Sequence, residues 1–259
     1  MLVNTEGIVL KQRKIANNRR MITVFTKNYG KISCGTSLSE KSKGKAALAI
    51  RPFTYADYDI FKGRESYNIN SAQTKKSYYS IGEDLDRFLV ASKFIEYLDK
   101  ILEEEQPRPK LFDMTLEFLE SITRATANYE TLLYAFVVKT LRVQGIMPEL
   151  RSCVNCGCEL ENFGYGIGPN KKGHAFSITS GGAICEDCAE REKTTGSALI
   201  YRPKFDIIEC ILYLLNSPLE RFEKVGLKGE VSDEIRRILG QYVDHYLGVD
   251  VLLDDVQWR

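Results

Sequence analysis

Two Cys-x-x-Cys pairs, Cys153 with Cys156 and Cys185 with Cys188, separated by 28 residues, constrain this chain more than any other feature. A Cys-x-x-Cys turn aims two thiolates at one point, and two such turns supply the four tetrahedral sulfurs that zinc favours. The intervening stretch is rich in loop formers, Gly164, Gly166, Gly168, Pro169, Gly173, Gly181 and Gly182, so it can close on a metal without a core of its own. Disulfides are the competing reading. However, no apolar signal segment precedes Thr5, and Cys34 and Cys210 stand alone in stretches that read as core strand and core helix, a pattern suited to a reducing cytoplasm. A redox motif would need only one pair. Cys158 offers a third sulfur beside the first knuckle, although Cys153 with Cys156 has the better bite. His174 reads as a solvated loop residue. Four protein ligands leave no open position, so the expectation is one structural Zn²⁺ held by Cys153, Cys156, Cys185 and Cys188.

The 259 residues are 44% hydrophobic and 27% charged, enough for one large or two to three small domains with proper cores. The net charge of +1 hides a strong asymmetry: residues 1–80 hold 15 Lys and Arg against 5 Asp and Glu, and the remainder holds 21 against 30. The amino-terminal part is therefore expected to meet a polyanion, and the rest protein or solvent. No run approaches the roughly 18 consecutive apolar residues of a membrane span, so no membrane contact is expected.

Periodicity divides the chain. Residues 7–10, 21–25, 31–34, 53–61 and 67–70 are short runs rich in β-branched and aromatic residues, and five such strands in about 75 residues fit a small closed barrel. A tight turn is expected at residues 28–31, where Gly30 tolerates positive φ. From Ile81 the apolar residues recur at three and four positions up to Leu102. Further helices are expected at 111–122, from Leu132 to about Gly145, at 205–215, and at 232–247 with Ser232 as its cap. The expected fold class is α+β multidomain: a five-stranded OB-fold β-barrel over 1–80, a helical domain over 81–150 and 191–259, and an inserted four-cysteine zinc module over 151–190.

The stretch between the first two strands, residues 11–20, carries Lys11, Arg13, Lys14, Arg19 and Arg20 and no acid. It reads as a basic loop framing the groove of a Greek-key barrel. A second cluster, Lys41, Lys43 and Lys45 with Arg51, follows the third strand. Cations neutralise phosphates and nearby rings such as Tyr29, Phe53, Tyr55, Tyr58 and Phe61 can stack bases. For the rings, burial in the barrel is the stronger reading, since alternate strand residues must face inward. For the loops it is weaker, because solvated surfaces mix both signs. No helix carries a row of base-reading side chains, so binding is expected to ignore sequence. Phosphate loops, dinucleotide fingerprints, zinc-protease and nucleophile-elbow motifs are all missing from the sequence. With only His174 and His245 as histidines, and with 103–105 reading as a charged helix end, a binding protein is expected and no enzyme. A metal-dependent nuclease is the weakest reading, and an RNA-binding or regulatory adaptor on the same barrel and zinc architecture is the alternative.

Several segments then resemble one family. Residues 6–10, a basic stretch, residues 23–26 and 29–31, then 51–53 before a strand, 141–150 leading into Cys153-Val154-Asn155-Cys156-Gly157, and 181–185 leading into Cys188 follow one order. In that order they are similar to the RecO family of bacterial recombination-repair mediators. The resemblance implies an OB-fold barrel, a helical domain and a four-cysteine zinc module. It also implies binding of single- and double-stranded DNA, annealing of complementary strands, and cooperation with RecR to replace single-strand-binding protein (SSB) by RecA. Contact with the SSB tail and a place in the bacterial cytoplasm, at the nucleoid, are implied as well. Where the family usually carries a Gly-Ala-Arg-Arg type segment, this chain has residues 35–40, with Lys41, Lys43 and Lys45 close behind.

Overall fold

The structure, a computed structural model, describes residues 1–15, 19–38, 45–64, 66–160, 174–195, 199–203 and 206–253, without the side chains of 45 and 193–195. The chain divides into two compact units, Met1–Ala125 and Thr126–Arg259.

The first unit is built on a closed barrel. Strands β1 (Leu2–Lys14), β2 (Arg20–Thr26), β3 (Gly30–Thr36), β4 (Thr54–Lys62) and β5 (Tyr67–Ser77) close in the order β1-β2-β3-β5-β4. All pairings are antiparallel except a short parallel contact of β3 with β5 at Cys34↔Tyr67 and Gly35↔Asn68. Alternation places Val9, Ile22, Val24, Ile32, Tyr58 and Ile60 in the interior. A four-residue helix, α1 (Lys45–Leu48), precedes Ala49 and Ile50, which belong to the same core, and the Tyr58 hydroxyl donates to the Ala49 carbonyl at 2.5 Å.

Ile8, Leu10 and Phe25 are buried although they lie outside the interior cluster. They are covered because α2 (Leu85–Ile101) and α3 (Pro109–Arg124) pack on the barrel's outer face, where Phe25 and Phe112 meet edge to face at 5.4 Å. Helix α3 begins with Pro109, whose missing N–H costs nothing in a first turn. Helix α2 starts later than the apolar period implies. Ile81 is buried in a 3₁₀ turn (Tyr79–Glu83), and Asp84 caps α2 by accepting from the Arg87 N–H at 2.8 Å, so Leu85 and Phe88, expected on the buried stripe, are exposed.

The second unit centres on α4 (Tyr129–Gln144), which is buried nearly all round and ends on Gly145 at φ +75°. It packs against α6 (Ile207–Asn216) and α7 (Gly229–Leu247). Asp206 caps α6. Ser232 does not cap α7: the helix starts at Gly229, and the Ser232 hydroxyl is inside it, 3.4 Å from Glu130. A three-stranded sheet of β6 (Ala175–Ser177), β7 (Gly182–Ile184) and β8 (Ile200–Tyr201), in the order β7-β6-β8, together with α5 (Glu186–Thr195), carries the second cysteine pair. Among the described residues no helix is long and apolar enough to cross a membrane.

Candidate nucleic-acid interface and metal site

In the basic stretch 11–20 the sequence pointed to a loop, but residues 11–14 and 20 are strand, and 16–18 lie outside the described residues. β1 and β2 stay paired beyond the barrel through Lys11↔Thr23, Gln12↔Ile22, Arg13↔Met21 and Lys14↔Arg20, and the Ile15 N–H closes the hairpin on the Arg19 carbonyl at 2.9 Å. The reason is local: a register shift between Val9 and Lys11 bulges Leu10 out of the pairing, after which regular pairing resumes. Lys11, Arg13, Lys14, Arg19 and Arg20 therefore share one hairpin arm. Lys14 and Arg20 face each other directly across it.

The cations differ in their surroundings. Lys11 Nζ is 2.6 Å from Asp99 on α2, and Lys31, largely buried, also approaches that carboxylate at 3.6 Å. Arg19 donates to the side-chain carbonyl of Asn68 at 3.1 Å and so keeps its full charge. Arg13 and Lys14 are exposed, with no carboxylate in ion-pair range among the described residues. Lys41 and Lys43 lie outside the described residues, and Lys45 is placed only as the first residue of α1. Of the rings, Tyr58 is a core residue, Tyr55 donates to Glu6 at 2.8 Å, and Phe61 is exposed. Sequence pattern gave no warning of Asp99, which lies 88 residues from Lys11.

The first cysteine knuckle is a closed turn. Ser152 pairs with Glu159, the Cys153 N–H donates to the Cys158 carbonyl at 2.9 Å, and the Gly157 N–H to the Cys153 carbonyl at 2.8 Å. Gly157 permits this at φ +72°. The second pair sits where β7 runs into α5, with Cys185 just before the helix and Cys188 in its first turn. The two halves are tied together by the Val154 N–H on the Ala183 carbonyl at 3.0 Å and by the Cys185 N–H on Cys153 Sγ at 3.4 Å. Glu192 on α5 adds a brace unforeseen in the sequence, accepting from Asn155 in the knuckle and from Ser180 at 2.7 Å and Ser177 at 3.1 Å in the β6–β7 hairpin.

The sulfurs converge. Those of Cys153, Cys156, Cys158 and Cys185 lie within 4.8 Å of one another. Cys156 and Cys185 are 3.8 Å apart, and two sulfurs each about 2.3 Å from one tetrahedral ion stand about 3.8 Å apart. Cys188 is buried, and its sulfur accepts from the Arg191 guanidinium at 2.8 Å. None of the seven cysteines is in a disulfide. Burial would raise the Cys153 thiol, but N–H groups of Cys185, Cys156 and Asn155 aimed at its sulfur outweigh that and hold it at about 6. Cys156 is lowered as well, first by the Cys158 N–H, whereas Cys158 is pushed up to about 12, first by hydrogen bonding with Cys156, and Cys188 to about 12, first by burial. The crowded sulfurs share protons that a divalent cation would replace, so the donor set fits a soft metal. His174 is outside this sulfur group; burial lowers its pKa.

The comparisons with known proteins agree with this architecture. Residues 1–78 match the family described as Recombination protein O N terminal, and residues 82–252 the family described as Recombination protein O C terminal. The chain is 33% identical to the DNA repair protein RecO of Caldanaerobacter subterraneus subsp. tengcongensis, covering 96% of this chain and 94% of that one. It is 29% identical to the DNA repair protein RecO of Alkaliphilus metalliredigens, covering 94% and 93%, and 30% identical to that of Bacillus pumilus, covering 96% and 91%. With both of its halves matched in order, its barrel closed and its cysteines gathered at one point, the chain belongs to the RecO family of DNA repair proteins.

Proposed function

We propose that this chain is a non-enzymatic recombination mediator that binds single- and double-stranded DNA and anneals complementary strands. With RecR as partner and through the tail of SSB, it would help load RecA onto covered single strands in the bacterial cytoplasm, at the nucleoid. The observation that carries the DNA reading is the hairpin arm on which Lys11, Arg13, Lys14, Arg19 and Arg20 stand together, with Lys14 directly opposite Arg20. Cations along this arm would neutralise phosphates, and screening two strands on one positive arm lets them pair without base readout. Lys41, Lys43 and Lys45 are proposed to extend the same track. Residues 1–80 are the proposed DNA-binding part, and 81–150 with 191–259 the helical part that meets protein partners. Residues 151–190 form a module held by one structural Zn²⁺ on Cys153, Cys156, Cys185 and Cys188. The ion, when bound, supplies four-point cross-linking and no chemistry.

The test is the salt dependence of binding to single-stranded DNA. Arg19→Glu with Arg20→Glu is expected to weaken binding alike on unrelated sequences and to reduce the slope of log affinity against log salt by about 1.5. Lys11→Ala is expected to change it less, because Asp99 already offsets that charge. Affinity independent of salt, or unchanged by the double reversal, would sink the reading. A strand-annealing assay with and without SSB tests the mediator step.

A further inference from the structure

We propose that Cys158 is a fifth sulfur of the metal site and can take the fourth coordination position in exchange with Cys188. This deepens the metal reading above and rests on it.

Cys153, Cys156 and Cys185 are common to both possible sets. Both candidates for the fourth position lie against these three: the sulfur of Cys158 completes a group within 4.8 Å, and that of Cys188 hydrogen-bonds with Cys185, Cys156 and Cys153. Cys158 is not a loose neighbour. Its carbonyl accepts the Cys153 N–H and so closes the first knuckle, and the left-handed turn at Gly157 brings its sulfur back to the side of Cys156. Cys188 sits in the first turn of α5 with its sulfur accepting from the Arg191 guanidinium at 2.8 Å, a partner that can hold the side chain in place when another sulfur takes its coordination position. The two competitors differ in access, Cys158 being exposed and Cys188 buried. Zinc has no electronic preference among four-thiolate arrangements, so replacing one sulfur by another costs little at the ion itself. What decides occupancy is then the Arg191 contact on one side and exposure to water on the other.

The test compares wild type, Cys158→Ser, Cys188→Ser and the double variant, each loaded with Zn²⁺ for metal content and with Co²⁺ for its thiolate-to-metal absorption. Both single variants are expected to retain about one ion per chain and a four-thiolate cobalt spectrum, and the double variant to lose at least ~100-fold in affinity. Loss of the four-thiolate spectrum in Cys188→Ser but not in Cys158→Ser would show a fixed set and overturn the exchange while leaving the metal reading standing. Loss only in Cys158→Ser would overturn it in the opposite sense. Wild type that takes up no metal would defeat the metal reading itself. A measurement on unaltered protein guards against variants that do not fold: zinc is expected to slow alkylation of Cys158 by iodoacetamide about twofold if the two sulfurs share the position equally. An alkylation rate that zinc leaves untouched would refute the exchange.

Discussion

Gly182 stands where β7 passes the backbone of Glu149: a Cβ built there falls 2.2 Å from the Glu149 carbonyl oxygen, and that same backbone donates to and accepts from the strand at the Gly181 carbonyl and the Ala183 N–H. The obstacle is main chain and cannot swing away. Gly182→Ala should therefore cost ~1–3 kcal/mol and weaken metal retention, because Cys185 follows three residues later on the same strand end; a thermal melt and a chelator competition would measure both. Gly30 is constrained differently, by φ +69° and by the Gln106 backbone 2.2 Å from where its Cβ would be. The tight turn expected there is legible in the sequence, since few other residues accept that φ. The partner segment across it is not, because nothing local encodes residue 106.

At the scale of elements, β1, β4 and β5 are joined on the barrel exterior by Glu6, which accepts from Tyr55 at 2.8 Å and from Lys75, itself 3.1 Å from Asp57. The Lys75 hydrogen bond, then that of Tyr55, lowers the Glu6 pKa below 4.5. Glu6 therefore contributes stability that is complete above its ordinary value and is lost as pH falls through its lowered folded value. Urea unfolding at about pH 5 and about pH 3 should show wild type losing more stability on acidification than Glu6→Gln, and equal losses would refute this role. The helices show where periodicity stops being informative. The α2 stripe extends into Leu85 and Phe88, yet both are exposed because the Asp84 cap sets the start of the helix after the 3₁₀ turn. Ser232 has the chemistry of a cap and is instead one turn inside α7, a position that depends on Glu130 from a distant element.

At the scale of the molecule, the metal cluster lies wholly within the unit Thr126–Arg259, whereas the barrel core lies within Met1–Ala125. Removing the metal is expected to speed amide exchange in residues 149–160 and 175–192 while β1 to β5 keep their protection; exchange measured with and without a chelator checks it, and equal loss of protection in the barrel would contradict it. The residue pattern sufficed for the barrel, the order of helices, the concentration of charge near the amino terminus and the convergence of cysteines, because each depends on spacing along a short stretch: period two, period three to four, like charges in a row, thiols two residues apart. Other features are long-range: Asp99 beside Lys11, α2 and α3 covering the barrel, and Glu192 bracing the knuckle. They follow from which remote segments come to share a surface, and that is settled when side chains compete for the same space and leaves no periodic mark on the chain.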